Sequence, residues 1–177
     1  KDLNIHVVVE STGLFTSYEK SKFHLDCGAK KVVISAPSKG DGSVSGETIL
    51  LGVNEEKFGT CDITSNASCT TNAASPLIGI LHEAIGIEKA VLSTTHGYTA
   101  SQSLVDGPSK KDLREGRAAA QNIVPSSTGA AIAVTEAFPD LKGLFDGISL
   151  RVPVPAGSIV DITFISKRET LAEEVND

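Results

Sequence analysis

Ser65-Asn66-Ala67-Ser68-Cys69-Thr70-Thr71-Asn72 is the stretch on which the reading of this chain turns. Before it, short β-branched runs flank one helical segment. After it, longer strands with alternating apolar and polar residues flank another. The change places a domain boundary near Ser68, giving a first domain over residues 1–68 and a second over residues 69–177. The stretch itself surrounds one cysteine with small hydroxyl and amide side chains. Such residues cannot build a core, but they can aim several hydrogen-bond donors at an oxyanion. A lone cysteine is by default a buried structural residue, and these neighbours reverse that default. The thiolate is the reactive form, and a helix N-terminus or a nearby imidazolium favours it. His96, at the end of the next predicted strand, offers the second of these.

Working outward, residues 6–10 and 31–35 read as parallel strands buried on both faces. The helix between them carries a capping box, Thr16 with Glu19, apolar contacts from Tyr18, Phe23 and Leu25, and a stop at Gly28. This βαβ unit takes a right-handed crossover. Residues 38–45 form a Gly/Ser/Asp/Lys loop, and residues 61–63 a short strand leading into the cysteine stretch. Downstream, residues 90–95 form a strand ending at His96, and residues 98–119 a long polar loop bearing Lys110, Lys111, Arg114 and Arg117. Loops of that length are usually functional or interfacial. Residues 129–138 read as a short Ala-rich helix, and residues 147–152 and 159–165 as strands. Of the other histidines, His6 starts a strand, whereas His24 and His82 sit on helices and are expected to be half-exposed.

The chain has 177 residues, 40% of them apolar, which suits a soluble globular protein with one good core or two small ones. No apolar run reaches membrane-spanning length and no secretory signal is present, so no membrane is expected and a cytoplasmic location follows. Cys27, Cys61 and Cys69 lack metal-ligand spacing, so neither a metal site nor a disulfide framework is expected. The net charge of −6 argues against a specific nucleic-acid surface. No methionine opens the chain, and Thr170-Leu171-Ala172-Glu173 announces a helix just before its end. The expectation is an internal fragment, incomplete at its C-terminus.

Several blocks, in order and at matching spacing, carry a resemblance. They are Glu10-Ser11-Thr12-Gly13-Leu14-Phe15, Val33-Ile34-Ser35-Ala36-Pro37-Ser38, the Cys69 stretch, Thr95-His96-Gly97-Tyr98-Thr99, Asp106-Gly107-Pro108-Ser109-Lys110-Lys111-Asp112, Pro125-Ser126-Ser127-Thr128-Gly129-Ala130-Ala131 and Arg151-Val152-Pro153-Val154-Pro155. Together they resemble the phosphorylating glyceraldehyde-3-phosphate dehydrogenases across the whole chain. Ala-Ser-Cys-Thr-Thr-Asn is highly specific to that family. The fold implied is α/β: the second half of a doubly wound, Rossmann-type NAD-binding domain, then an α+β catalytic domain with a mainly antiparallel sheet. The Gly-x-Gly-x-x-Gly turn of the first half does not occur here. The resemblance also starts a helix at Cys69 itself, where local rules alone favour Ser75-Pro76. The earlier start is preferred, with an irregularity near Pro76, because Ala73, Leu77, Ile80, Leu81 and Ala84 continue one stripe until Gly86.

The resemblance implies oxidation of glyceraldehyde 3-phosphate with inorganic phosphate to 1,3-bisphosphoglycerate, through a thiohemiacetal and thioester on Cys69. His96 would be the general base. Thr99 and Arg151 resemble the ligands of the substrate phosphate, and Ser68, Thr70, Thr128 and Gly129 those of the attacking phosphate. Thr128-Gly129 opens a predicted helix whose N–H groups suit an anion, though Thr128 equally suits a plain N-cap. Arg151 lies between Leu150 and Val152, and an arginine in such a run needs a partner or a ligand. Thr12 and Ser35, at strand ends, resemble residues on the nicotinamide side of NAD, with NADP left open. The loop over residues 98–119 resembles one that packs against a neighbouring subunit, so a homotetramer is expected, with the loop mobile until a partner orders it. Ala73 and Glu115 depart from the family pattern. The alternatives are an erythrose-4-phosphate dehydrogenase-like enzyme and a non-catalytic truncated binding module.

Overall fold

A computed structural model describes residues 2–109 and 112–176. They form two compact units, Lys1–Pro76 and Leu77–Asp177.

The first unit holds β1 (Val7–Glu10), α1 (Tyr18–Asp26), β2 (Lys31–Ile34), β3 (Glu47–Thr48) and β4 (Ile63–Ser65). The four strands make a wholly parallel sheet in the order β1-β2-β4-β3. The helix does not start from a Thr16 capping box: the N-cap is Ser17, whose hydroxyl accepts the Lys20 amide. It ends as expected at Gly28, whose φ of +110° lets the amides of Gly28 and Ala29 return to the carbonyls of Leu25 and His24. Tyr18 packs with Val32, Ile34 and Ile63, and Leu25, Ala36 and Val44 border the cluster. Gly46 is required there, because a Cβ would lie 2.3 Å from the Tyr18 ring.

Only one face of this sheet is buried. Val32, Ile34 and Ile63 are closed off, whereas Val7 and Val9 on β1 are 52% and 65% exposed. The expected burial of both faces therefore fails, because strands lose solvent only where an element lies over them, and nothing among the described residues of this unit covers Val7 and Val9.

Next comes α2 (Cys69–Ala84), a single helix with Pro76 inside it. It starts at Cys69, as preferred, and not at Ser75. Of the expected stripe only Leu81 is buried: Ala74 and Ile78, with Ile85 just past the helix, are closed off beside it, while Leu77 and Ile80 are 44% and 66% exposed. Apolar residues all round this helix leave periodicity unable to choose between the two faces. Gly86, at φ +73°, stops it.

The second unit contains β5 (Ile87–Gly97), β6 (Val124–Ser126), α3 (Ala130–Ala137), β7 (Phe145–Val152), β8 (Ser158–Ser166) and α4 (Ala172–Asn176). Its sheet is mixed, ordered β6-β7-β5-β8, with β5 and β7 parallel and the outer pairings antiparallel. Ala90, Leu92 and Thr94 on β5 and Phe145 and Ser149 on β7 share the buried face, against which α3 packs. Gly147 allows the close pairing, since a Cβ there would sit 2.9 Å from Leu92. His82 of α2 binds Asp140 at 2.6 Å and accepts the Ile87 amide at Nδ1, so it is a structural joint. Thr170 does not cap α4 through Glu173, because its hydroxyl goes to the side chain of Glu174. Among the described residues no helix is long and apolar enough to cross a membrane.

Candidate active site

The cysteine stretch is held by its own polar side chains. Ser65, buried at the end of β4, donates its hydroxyl to the Ala36 carbonyl and accepts the Ala67 amide. Ala67 sits at φ +53°, a left-handed conformation that turns the chain from strand into helix. Ser68 then caps α2: its Oγ accepts the Thr71 amide at 3.1 Å and lies 2.8 Å from the Thr71 hydroxyl. Asn72 donates its amide to the carbonyls of Asn66 and Ser68. Most of the hydroxyls and amides that suggested an oxyanion site are therefore employed in shaping the turn. Their effect is to present Cys69 exposed at the first position of α2, on the positive end of its dipole. Thr70 beside it is buried. Cys61 is buried with its thiol directed at the Ile63 carbonyl, and Cys27 is exposed.

In the second unit, His96 and Arg151 are register partners at the carboxyl ends of parallel β5 and β7. Equal register puts both on one face, the buried one, in the row beyond Thr94 and Ser149. His96 Nδ1 lies 2.6 Å from the Gly97 carbonyl. A carbonyl only accepts, so Nδ1 carries the proton and Nε2 is the basic nitrogen of the neutral ring. The Nε of Arg151 is fully buried and meets no partner among the described residues.

Thr99 opens a turn closed by the Gln102 amide on the Thr99 carbonyl at 3.0 Å. Its hydroxyl is 3.0 Å from that of Ser101, which reaches toward Glu115 at 3.4 Å. Gly129, not Thr128, is the N-cap of α3, and the Thr128 hydroxyl, one residue earlier, accepts the Ala130 amide at 3.1 Å. The loop over residues 98–119 ties itself down, contrary to the expected mobility. Backbone bonds join Ser103 to Glu115 and Ala119 and Gly107 to Gly116, and Asp106 receives the Ala118 amide and the Arg117 guanidinium. Asp112, whose carboxyl is lowered to about 2 chiefly by the Arg114 side chain, caps the turn Leu113–Gly116. Lys110 and Lys111 lie outside the described residues.

Thr12 and Ser35 follow the adjacent parallel strands β1 and β2. Thr12 gives both its amide and its hydroxyl to Glu10, at 2.7 and 2.5 Å, and Ser35 donates to Ser11 at 2.9 Å. Glu10 is only 3% exposed and is also bound by His24 Nε2 at 2.7 Å. The Thr12 hydroxyl above all, then burial acting against it, and His24 last, leave its carboxyl below the usual range. Neither Glu10 nor Gln102 was singled out from sequence. Each works through backbone and neighbours that a linear pattern does not reveal.

A cavity of about 520 Å³ lies at the other end of β5 and β7, among Lys89, Val91, Phe145 and Asp146, away from every candidate above. Its walls hold neither Cys69 nor His96, so volume does not mark the candidate chemistry here.

A family model described as glyceraldehyde 3-phosphate dehydrogenase, C-terminal domain, matches residues 68–177. The glyceraldehyde-3-phosphate dehydrogenase of Mycobacterium avium is 52% identical over 176 residues, 99% of this chain and 50% of that protein. The Mycobacterium tuberculosis enzyme of the same name is 53% identical over the same shares. Glyceraldehyde-3-phosphate dehydrogenase B of Aspergillus oryzae is 49% identical over 175 residues, 99% of this chain and 51% of the relative. The chain thus spans about half the length of the curated relatives it matches.

Proposed function

The chain belongs to the glyceraldehyde-3-phosphate dehydrogenase family, and we propose that the enzyme it is part of oxidises glyceraldehyde 3-phosphate in the presence of inorganic phosphate to 1,3-bisphosphoglycerate. The observation that carries this reading is an exposed cysteine at the first position of a helix, within a chain that matches the family over residues 68–177. Cys69 is the nucleophile and His96, through Nε2, the base that takes its proton. The thiolate adds to the aldehyde carbon and forms the C–S bond of a thiohemiacetal. NAD, when bound, supplies the hydride acceptor that turns this adduct into a thioester. Inorganic phosphate then attacks the thioester carbonyl, a C–O bond forms, the C–S bond breaks, and Cys69 leaves as thiolate.

The phosphate of the substrate is assigned to Thr99 and Arg151, a role supported by the buried, unpartnered Nε at a strand end. The attacking phosphate is assigned to Ser68, Thr70, Thr128 and Gly129. The parallel sheet of the first unit, with exposed hydroxyls of Ser11 and Ser35 beyond its strand ends, fits the polar part of a dinucleotide, and is read as the second half of a Rossmann-type domain. Thr12 and Ser35 would hold the nicotinamide side. A homotetramer is proposed as well, supported by Leu104, Val105 and Leu113, which stand 67–80% exposed on the loop over residues 98–119.

Brief treatment of the enzyme with iodoacetamide should label Cys69 first and abolish activity, as should Cys69→Ser without loss of folding. Peptide mass spectrometry provides the control within the same chain, because Cys27 is exposed too. Labelling of Cys27 at an equal rate would remove the nucleophile assignment.

A further inference from the structure

We propose that Gln102 is a positioning residue for substrate phosphate, acting through Thr99. The proposal rests on the assignment of Thr99 and Arg151 to that phosphate.

Gln102 grips both polar backbone groups of Thr99. Its own amide donates to the Thr99 carbonyl at 3.0 Å, and its side-chain Oε1 accepts the Thr99 amide at 3.1 Å. The turn is thereby closed from both sides, which fixes the backbone from which the Thr99 hydroxyl projects. That hydroxyl and the one on Ser101, 3.0 Å apart, stand on the same turn.

The glutamine is itself only 7% exposed, and its Nε2 meets no partner among the described residues. Burying an amide donor without a bond is unfavourable, so such a group persists where something outside the chain, a ligand or a water, completes it. Arg151 presents a second buried nitrogen in the same condition. Both are donors, which is the chemistry an anion requires, and no lone carboxylate is offered to a cation. Glu115 opposes this, since it reaches Ser101 at 3.4 Å. That distance is at the limit of a hydrogen bond, so its carboxylate weakens the site without closing it.

The test compares two aldehydes in the enzyme that carries this chain: glyceraldehyde 3-phosphate and glyceraldehyde, which lacks the phosphate. Gln102→Met removes the side-chain half of the grip on Thr99 and the free donor, and leaves the backbone bond between the two residues. KM for the phosphorylated aldehyde should rise roughly tenfold, the size of one hydrogen bond to a charged group, while kcat/KM for glyceraldehyde stays unchanged. Gln102→Glu keeps an oxygen acceptor for the Thr99 amide but replaces the donor with negative charge, and should raise the same KM at least as far. Equal losses on both aldehydes, no change on either, or failure of both variants to fold would make Gln102 purely structural and overturn the proposal. A wild-type enzyme that handles both aldehydes alike would instead overturn the phosphate assignment on which it rests.

Discussion

The strand end after β1 and the strand ends of β5 and β7 both gather buried polar side chains, but they spend them differently. Glu10 has three donors, the Thr12 amide, the Thr12 hydroxyl and His24. Arg151 Nε, Gln102 Nε2 and Thr94 Oγ1 have no partner among the described residues. A polar group satisfied inside the fold maintains shape. One left unsatisfied carries a free-energy cost that binding can offset, and in the proposed reading this is where the anion arrives. Glu10 thus reads as scaffold and the donors of Arg151 and Gln102 as site, while Thr94, inside β5, is buried with neither role.

The sharpest way to break this contrast is to remove one polar group from each side. Arg151→Met should raise KM for the phosphorylated aldehyde by roughly a hundredfold, as expected for a lost charge-assisted contact. Its melting temperature should move by less than about 4 °C, because Nε gives up no bond within the chain. A large fall in melting temperature with an unchanged KM would show that Arg151 belongs to the scaffold.

Glu10→Leu should do the reverse and destabilise the first unit by about 1–3 kcal/mol, since it strands His24 and both donors of Thr12. Acid provides a finer version. The folded carboxyl of Glu10 is held below its ordinary value, so its contribution is present above the usual carboxylate range and is lost as pH falls through the lowered value. Thermal melts of the wild-type chain below about pH 5 should fall more steeply than those of Glu10→Gln. Parallel acid limbs would remove Glu10 from the scaffold.

The smallest effect is expected at Thr94, which is 1% exposed and has an orphaned hydroxyl. Thr94→Val should be neutral or stabilising by up to about 1 kcal/mol, because it replaces an unsatisfied group with a methyl of like shape. Denaturant unfolding that shows a clear loss would mean the hydroxyl is satisfied by an ordered water.

Parts of this were legible without coordinates. The Cys69 stretch, the Gly28 stop and the strands bearing His96 and Arg151 all follow from local chemistry: side-chain size, capping and alternation act over a few residues, whereas capping alone pointed to Ser75 for α2 and only the resemblance gave its start at Cys69. Other features were not. Thr16 and Ser17 are equally good caps by composition, and only the packed orientation of α1 selects Ser17. Leu77 and Ile80 are as apolar as Ile78, yet burial falls on Ala74 and Ile78 because the rotation of α2 is set by what lies against it. The loop over residues 98–119 looked mobile because its ties are bonds between positions far apart in sequence, such as Ser103 with Ala119 and Asp106 with Ala118, which composition does not encode.

By itself, then, the sequence determined the family, the identity of the candidate nucleophile and base, and the order of the elements, since these depend on residue types and near spacing. Tertiary structure alone decided that His96 and Arg151 are register partners on the buried face and that Glu10 is satisfied while Gln102 is not. Those facts depend on strand pairing and on which polar atoms burial leaves without a bond, and both are properties of the folded chain as a whole.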